Sequence, residues 1–242
     1  MAKVHVGTSG WHYKHWQNTF YPEGMKPKDY MNHYLNFFRT VEINNSFYRL
    51  PSGKTFENWC KSVPKDFIYA VKASRFITHM KKLKEPKEHF ANFIEKADGL
   101  QEKLGPILFQ LPPRWKYNSE RFRSFLDALP DSYLYTFEFR NHTWYNEEVY
   151  GLLRERNMAF CIYELEFHMS PMEVTADFIY IRLHGPGYKY QGSYSEESLW
   201  KWADYCKTRR NEGKNVYVYF DNDQEAYAAH NAKILNILVN TD

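Results

Sequence analysis

Apolar and polar positions along this chain alternate in short runs whose period switches between two and about three and a half. Runs of four to eight residues rich in Val, Ile, Tyr and Phe fall at 3–8, 40–45, 67–73, 106–111, 133–139, 158–163, 178–184 and 215–221, and such runs predict strands. Helical patterns fill most of the gaps. Pro27 opens one that runs to about Phe38, and others cover about 53–62 and Pro86 to about Lys103. Ser119 serves as N-cap for a helix to about Leu129, and Asn146 for one to about Arg156. Two more run from Ser195 to about Asn211 and from Glu225 to about Val239, the last with an Ala-rich face suited to close packing on strands. Strands that alternate with helices predict an α/β fold with a parallel sheet. Eight such units over 242 residues match a (β/α)8 TIM-like barrel, typically ~250 residues, here expected as a single domain spanning 1–242. A doubly wound open sheet is the alternative. The stretch ELEFHMSPMEVTAD between the sixth and seventh strands has no helical period, so that crossover helix is expected to be missing or very short.

Within the strands, polar residues keep to one parity, and side chains in a strand alternate between faces. His5, Gly7 and Ser9 share a face in the first strand, and Glu42 and Asn44 in the second. Ile68, Ala70 and Lys72 do so in the third, Leu108 and Gln110 in the fourth, and Thr136, Glu138 and Arg140 in the fifth. Tyr180, Arg182 and His184 follow in the seventh, and Tyr217, Tyr219 and Asp221 in the eighth. A parallel strand buried on both faces should be almost wholly apolar. Polar residues on one face, gathered toward the C-terminal ends, predict a charged barrel mouth, where barrel active sites lie. The competing reading is a structural network of mutually neutralising buried charges.

Composition narrows the partners. Lys and Arg number 32 against 29 Asp and Glu, a formal charge of +3, which gives no strong electrostatic case for nucleic acid. Cys60, Cys161 and Cys206 are widely spaced and form no CxxC, so a disulfide framework and a zinc ribbon are disfavoured. No apolar run approaches the ~18 residues of a membrane span, and MAKVHVGTSGW has no leader pattern; a cytoplasmic protein is expected. The aromatic share is 19 %, which raises the question of whether the rings pack a core or stack on a ligand.

Long blocks of the chain resemble the YecE-like proteins, a domain-of-unknown-function family (number seventy-two). They are GTSGWHYKHWQNTFYP at 7–22, VEINNSFYRLP at 41–51, VKASRFITH at 71–79, LFQLPP at 108–113, FEFRNHTWY at 137–145, IRLHG at 181–185, YQGSY at 190–194 and YFDND at 219–223. The resemblance implies a TIM-barrel-like fold and brings neither an agreed activity nor a catalytic set. Relatives often place an Asp near Tyr163-Glu164-Leu165 and commonly an Asn in place of Asp221.

The residues themselves suggest several chemistries. The favoured one is an enzyme, hydrolase or lyase in type, that does acid–base or hydrolytic work on an anionic small molecule carrying phosphate or carboxylate. Glu138, His184 and Glu42 are the catalytic candidates, being able to move protons. Lys72, Arg140 and Arg182 would bind the anion, Asn44 and Gln110 would orient it, and Trp11, Tyr48, Trp144 and Tyr194 would line the site. A metal-dependent phosphoesterase or nuclease is the first alternative, but no HxH or HExxH run appears, and no metal ligand or cofactor is expected. Glycoside hydrolysis would need two facing carboxylates, for which Glu42 and Glu138 are the only strong lumen pair; many barrel glycosidases take these acids from strands four and seven, where this chain has Gln110 and His184, which argues against it. A non-catalytic ligand- or nucleic-acid-binding protein is the last alternative; it rests on Arg75, Lys81, Lys82, Lys84 and Lys87 and on Trp115 beside Arg114 and Lys116, and nucleic acid is not the favoured partner. Oligomeric state is not legible.

Overall fold

The protein is described by a computed structural model over residues 1–241. Its parallel strands are β1 (Val4–Thr8), β2 (Thr40–Ile43), β3 (Ile68–Lys72), β4 (Leu104–Gln110), β5 (Tyr135–Glu138), β6 (Ala159–Leu165), β8 (Phe178–Leu183) and β9 (Asn215–Phe220), with a short antiparallel β7 (His168–Met169) paired to β6. They follow the order β1-β9-β8-β6-β5-β4-β3-β2, the sequential order of a TIM-like barrel. All eight expected strands are present. The expected gap between the sixth and seventh is also present: β6 folds back on β7 as a hairpin, and no helix intervenes before β8.

The helices are α1 (Tyr30–Tyr34), α2 (Asn45–Tyr48), α3 (Gly53–Lys61), α4 (Pro86–Ala97), α5 (Ser119–Leu126), α6 (Glu147–Glu155), α7 (Glu196–Asn211) and α8 (Tyr227–Asn240). Asn146 and Ser195 cap α6 and α7 as their side chains predict, accepting from Val149 N and Ser198 N. Several boundaries differ from expectation. Asn118, not Ser119, caps α5, its Oδ1 accepting from Arg121 N at 2.9 Å. The helix expected from Pro86 to Lys103 stops at Ala97 and continues as a 3-10 stretch broken by Gln101 at φ 54°. The last helix starts at Tyr227, because Glu225 and Ala226 take left-handed φ values of 52° and 62°. The one opened at Pro27 is a 3-10 turn followed by α1, which ends four residues before Phe38. The second strand ends at Ile43, and Asn44 leads into α2.

The chain groups into two compact units: Met1–Glu42, Ile162–Met172 and Asp177 onward form the first, and Ile43–Cys161 with Glu173–Ala176 the second. In the first, α8 lays the buried Ala228, Ala229 and Ala232 toward β1 and β9, small side chains that let helix and strand approach closely. Gly7 is required there, since a Cβ on it would lie 2.3 Å from the Thr40 carbonyl oxygen. The buried Tyr34 hydroxyl joins the two edge strands, accepting from Thr8 N at 3.1 Å and donating to Thr40 O at 3.0 Å. In the second, Phe109 stacks on Phe137 at 5.2 Å, and Phe122 and Phe125 stand edge-on to Phe137. Much of the aromatic excess is therefore packing. Among the described residues no helix is long and apolar enough to cross a membrane.

Candidate active site

Register turns the sequence parity of the first unit into layers. His5, Tyr217 and Tyr180 are level, as are Gly7, Tyr219 and Arg182. The ladder continues past the strand ends through Ser9 N to Phe220 O and Asp221 N to Leu183 O, both 2.8 Å. Ser9, Asp221 and His184 thus form the layer at the C-terminal ends.

Glu42 and Arg182 are both wholly buried. Glu42 Oε1 accepts from Ser9 Oγ at 2.5 Å and Arg182 Nη2 at 2.7 Å; Oε2 accepts from Tyr180 Oη at 2.7 Å and Arg182 Nε at 2.9 Å. Four donors fill the lone-pair positions of one carboxylate, two of them the bidentate guanidinium fork. Burial and the nearby Glu42 push the Tyr180 hydroxyl well above its ordinary pKa, so it remains a donor.

One layer further, His184 Nδ1 lies 3.0 Å from Asp221 Oδ2, while Arg182 Nη1 lies 3.3 Å from His184 Nε2. A carboxylate on one ring nitrogen and a guanidinium donor on the other are satisfied together by a neutral imidazole with its proton on Nδ1. Tyr13 donates from its hydroxyl to Ser9 O, and burial, with Asp221 and Asp223 close by, raises its pKa. Asp223 accepts from Trp16 Nε1 at 2.6 Å and faces His15 Nε2 at 3.2 Å; burial pushes it up to about 6. Tyr194 is buried, takes Gly185 N at 3.1 Å and bonds Glu164, whose own pKa burial raises. Trp11 is partly exposed, and its carbonyl accepts from the Tyr21 hydroxyl.

The second unit holds the other candidates. Lys72 is level with Leu108 and Thr136, and Gln110 with Glu138, so these positions too share one face. Glu138 is wholly buried and takes the Arg140 Nε donor. Lys72 is buried with its ammonium 4.4 Å from the Phe47 ring centroid. Burial, with Lys72 and Arg75, pushes the neighbouring His79 down to about 4. Asn44 Oδ1 is buried without a hydrogen bond, and Gln110 Nε2 donates to Leu111 O at 3.3 Å. Tyr48 is exposed. Trp144 corrects an expectation: it is wholly buried, stacked on Phe139 at 4.8 Å, with Nε1 donating to Trp115 O, which is the environment of a core ring and not of an open stacking surface.

Within the first unit, then, three predicted residues meet: Glu42, Arg182 and His184. Sequence reasoning did not place Ser9, Tyr180, Asp221, Tyr13 or Asp223 among its site residues. The first three lie on the polar parity already visible in their strands; Tyr13 and Asp223 lie in loops, which carry no parity. Among the described residues no group of three His, Cys, Asp or Glu side chains is arranged to hold a metal ion.

A TIM-like barrel with a charged layer at the C-terminal strand ends defines the class of this protein. The chain belongs to the family described as protein of unknown function DUF72, whose model matches residues 5–242. It is 30 % identical to a DUF72 family protein (TM1631) from Thermotoga maritima MSB8 over 99 % of this chain and 100 % of that one, with a TM-score of 0.88. A DUF72 family protein (EF0366) from Enterococcus faecalis V583 matches in fold, at 19 % identity over 99 % and 96 % of the chains and a TM-score of 0.81. The UPF0759 protein YunF of Bacillus subtilis (strain 168) is 23 % identical, over 95 % of this chain and 92 % of its own.

Proposed function

We propose that this DUF72 protein is an enzyme that moves a proton at His184 Nε2, in acid–base or hydrolytic chemistry on an anionic small molecule. The observation that carries the reading is the His184–Asp221 contact at 3.0 Å in the layer beyond the strand ends. Asp221 would hold the imidazole in its Nδ1–H form; the Nε2 lone pair, which accepts from Arg182 Nη1 in the resting site, would take a proton once a substrate oxygen draws that donor away, and Asp221 would stabilise the imidazolium that results. Glu42 is then a positioning residue, not an acid or base: its acceptor sites are filled, and its fork on Nε and Nη2 of Arg182 aims Nη1 toward His184. That nitrogen would face negative charge developing on a substrate oxygen beside Nε2. The anionic character of the substrate rests on Arg182, whose Nη1 lies 3.3 Å from His184 Nε2.

The test has two stages. A thermal-shift screen of phosphate- and carboxylate-bearing metabolites finds ligands that stabilise the folded chain, and each stabiliser is followed by NMR for turnover. His184→Gln should lower turnover by roughly 100-fold or more, the scale of general acid–base catalysis, and Asp221→Asn should lower it less. Turnover unchanged in His184→Gln, or stabilisation by none of the anions, overturns the reading.

A further inference from the structure

Two segments of the first unit, beyond the strand ends, display exposed rings on fixed backbone. The β6–β7 hairpin turns through Glu166 and Phe167, at φ 52° and 60°. Turns with both central residues at positive φ favour Asn-Gly, and a Phe there is sterically costly. Burial does not compensate, because Phe167 is 75 % exposed. The loop from Gly185 to Gly192 repeats the pattern: Tyr190 sits at φ 61° and is 39 % exposed, and Tyr188 is 73 % exposed.

The loop is held firmly. Tyr190 N donates to His184 O at 2.8 Å, and Gln224 N to Tyr190 O at 3.3 Å. Gly192 N donates to Gln224 Oε1, and its carbonyl accepts from Asn222 Nδ2 at 2.9 Å. Gly185, at φ 117°, has no room for a Cβ, which would lie 2.3 Å from Gln191 O. The hairpin is fastened by Tyr163 N to Ser170 Oγ and Ser170 N to Tyr163 O, both 2.9 Å.

Two of the rings meet, and the third reaches the candidate site. Phe167 stands edge-on to Tyr188 at 5.8 Å, and its ring end would lie 3.5 Å from a Cβ on Gly187. Tyr190 lies 5.5 Å from the His184 ring, with the Lys189 ammonium 5.2 Å from its centroid. Backbone strain over-determined by its surroundings and placed beside a candidate catalytic group is a functional signature, and rigid exposed aromatics bind flat π-faces.

We propose that Phe167, Tyr188 and Tyr190 form a stacking subsite for a planar aromatic ring of the substrate, with Lys189 beside them to meet its anionic group. The hairpin that stands where a barrel would carry its sixth crossover helix supplies one wall. The proposal rests on the assignment of the site at His184 and adds to it the substrate class: an aromatic ring joined to a phosphate or carboxylate.

Isothermal titration tests it with adenosine 5′-monophosphate, phenyl phosphate and ribose 5-phosphate as probes. The wild-type chain should bind one or both ring-bearing phosphates at least tenfold more tightly than ribose 5-phosphate; the better of the two distinguishes a nucleobase from an aryl group. The double variant Phe167→Ala/Tyr188→Ala should lose that preference and keep its thermal midpoint, since both rings are exposed. His184→Gln should keep the preference, which separates failure of the subsite from failure of the proton-transfer site. Equal binding of all three probes, no binding of either ring-bearing one, or a preference that survives in the double variant overturns the proposal.

Discussion

Substituting Glu42 by Gln tests the interior of the site through stability alone. The carboxylate accepts four hydrogen bonds, two of them from Arg182, and both side chains are wholly buried. Gln replaces one acceptor oxygen by an NH2 group that turns a donor toward donors, and it removes the charge facing the guanidinium. Breaking a buried ion pair from one side costs about 3–5 kcal/mol. Asp221 Oδ2 lies 3.4 Å from Arg182 Nη2 and retains part of the compensation, so the lower end, about 3 kcal/mol, is expected. For a chain of this size that is a fall in Tm of roughly 6–12 °C. Arg182→Met should cost a similar amount. The double variant Glu42→Gln/Arg182→Met should cost less than the sum by at least ~1 kcal/mol, because the interaction is lost only once. Urea unfolding of the four proteins with a shared m-value measures all three terms. A single-variant loss below ~1 kcal/mol, or additivity within ~0.5 kcal/mol, refutes the saturated buried pair.

Asp223, held up to about 6 by burial, keeps a proton in the folded chain between about pH 4 and 6 that the unfolded chain releases; its contribution is full below pH 4 and falls as pH rises through that window. Asp223→Asn should therefore lose less stability than wild type between pH 4 and 6.5 in urea titrations. His5 carries the opposite sign: burial and Lys3 hold it down to about 4, so the unfolded chain binds the proton first and stability rises with pH from about 4 to 6.5. His5→Phe keeps a ring against Tyr217, which the imidazole stacks on at 4.8 Å, and should flatten that rise. Trp144→Ala should cost about 3–5 kcal/mol, the range for a buried Trp, and leave ligand affinity per folded molecule unchanged by calorimetry; a stable variant with weakened binding would return Trp144 to the ligand site.

Strand positions were legible because period-two patterning and β-branched or aromatic runs arise from the backbone itself, and the barrel followed from their number and alternation with helices. The polar parity on the seventh and eighth strands picked out Arg182 and His184, and it contained Asp221, whose value as a partner to His184 depends on register between β8 and β9 that no single strand reveals. Pairing was also illegible: Arg182 read as an anion binder because nothing in IRLHG shows that Glu42, 140 positions away, occupies its fork. Trp144 read as a loop ring because its motif follows a strand, yet Trp115, Tyr117 and Phe122 close over it. Phe167 and Tyr188 drew no notice, since exposure and positive φ at non-glycine residues leave no mark on composition. Ser119 lost the cap to Asn118 by one position, a choice between two good capping residues.

Proton transfer at this site depends on which nitrogen of His184 carries the proton. A long-range 15N–1H correlation spectrum of histidine-labelled protein at pH 7.5, with the His184 signals assigned by their loss in His184→Gln, reads this directly. The Asp221 contact at Nδ1 and the Arg182 donor at Nε2 predict a neutral ring protonated on Nδ1, with Nε2 unprotonated and accepting from Arg182. A proton on Nε2, in either the neutral or the charged ring, would contradict the assignment of Nε2 as the proton acceptor.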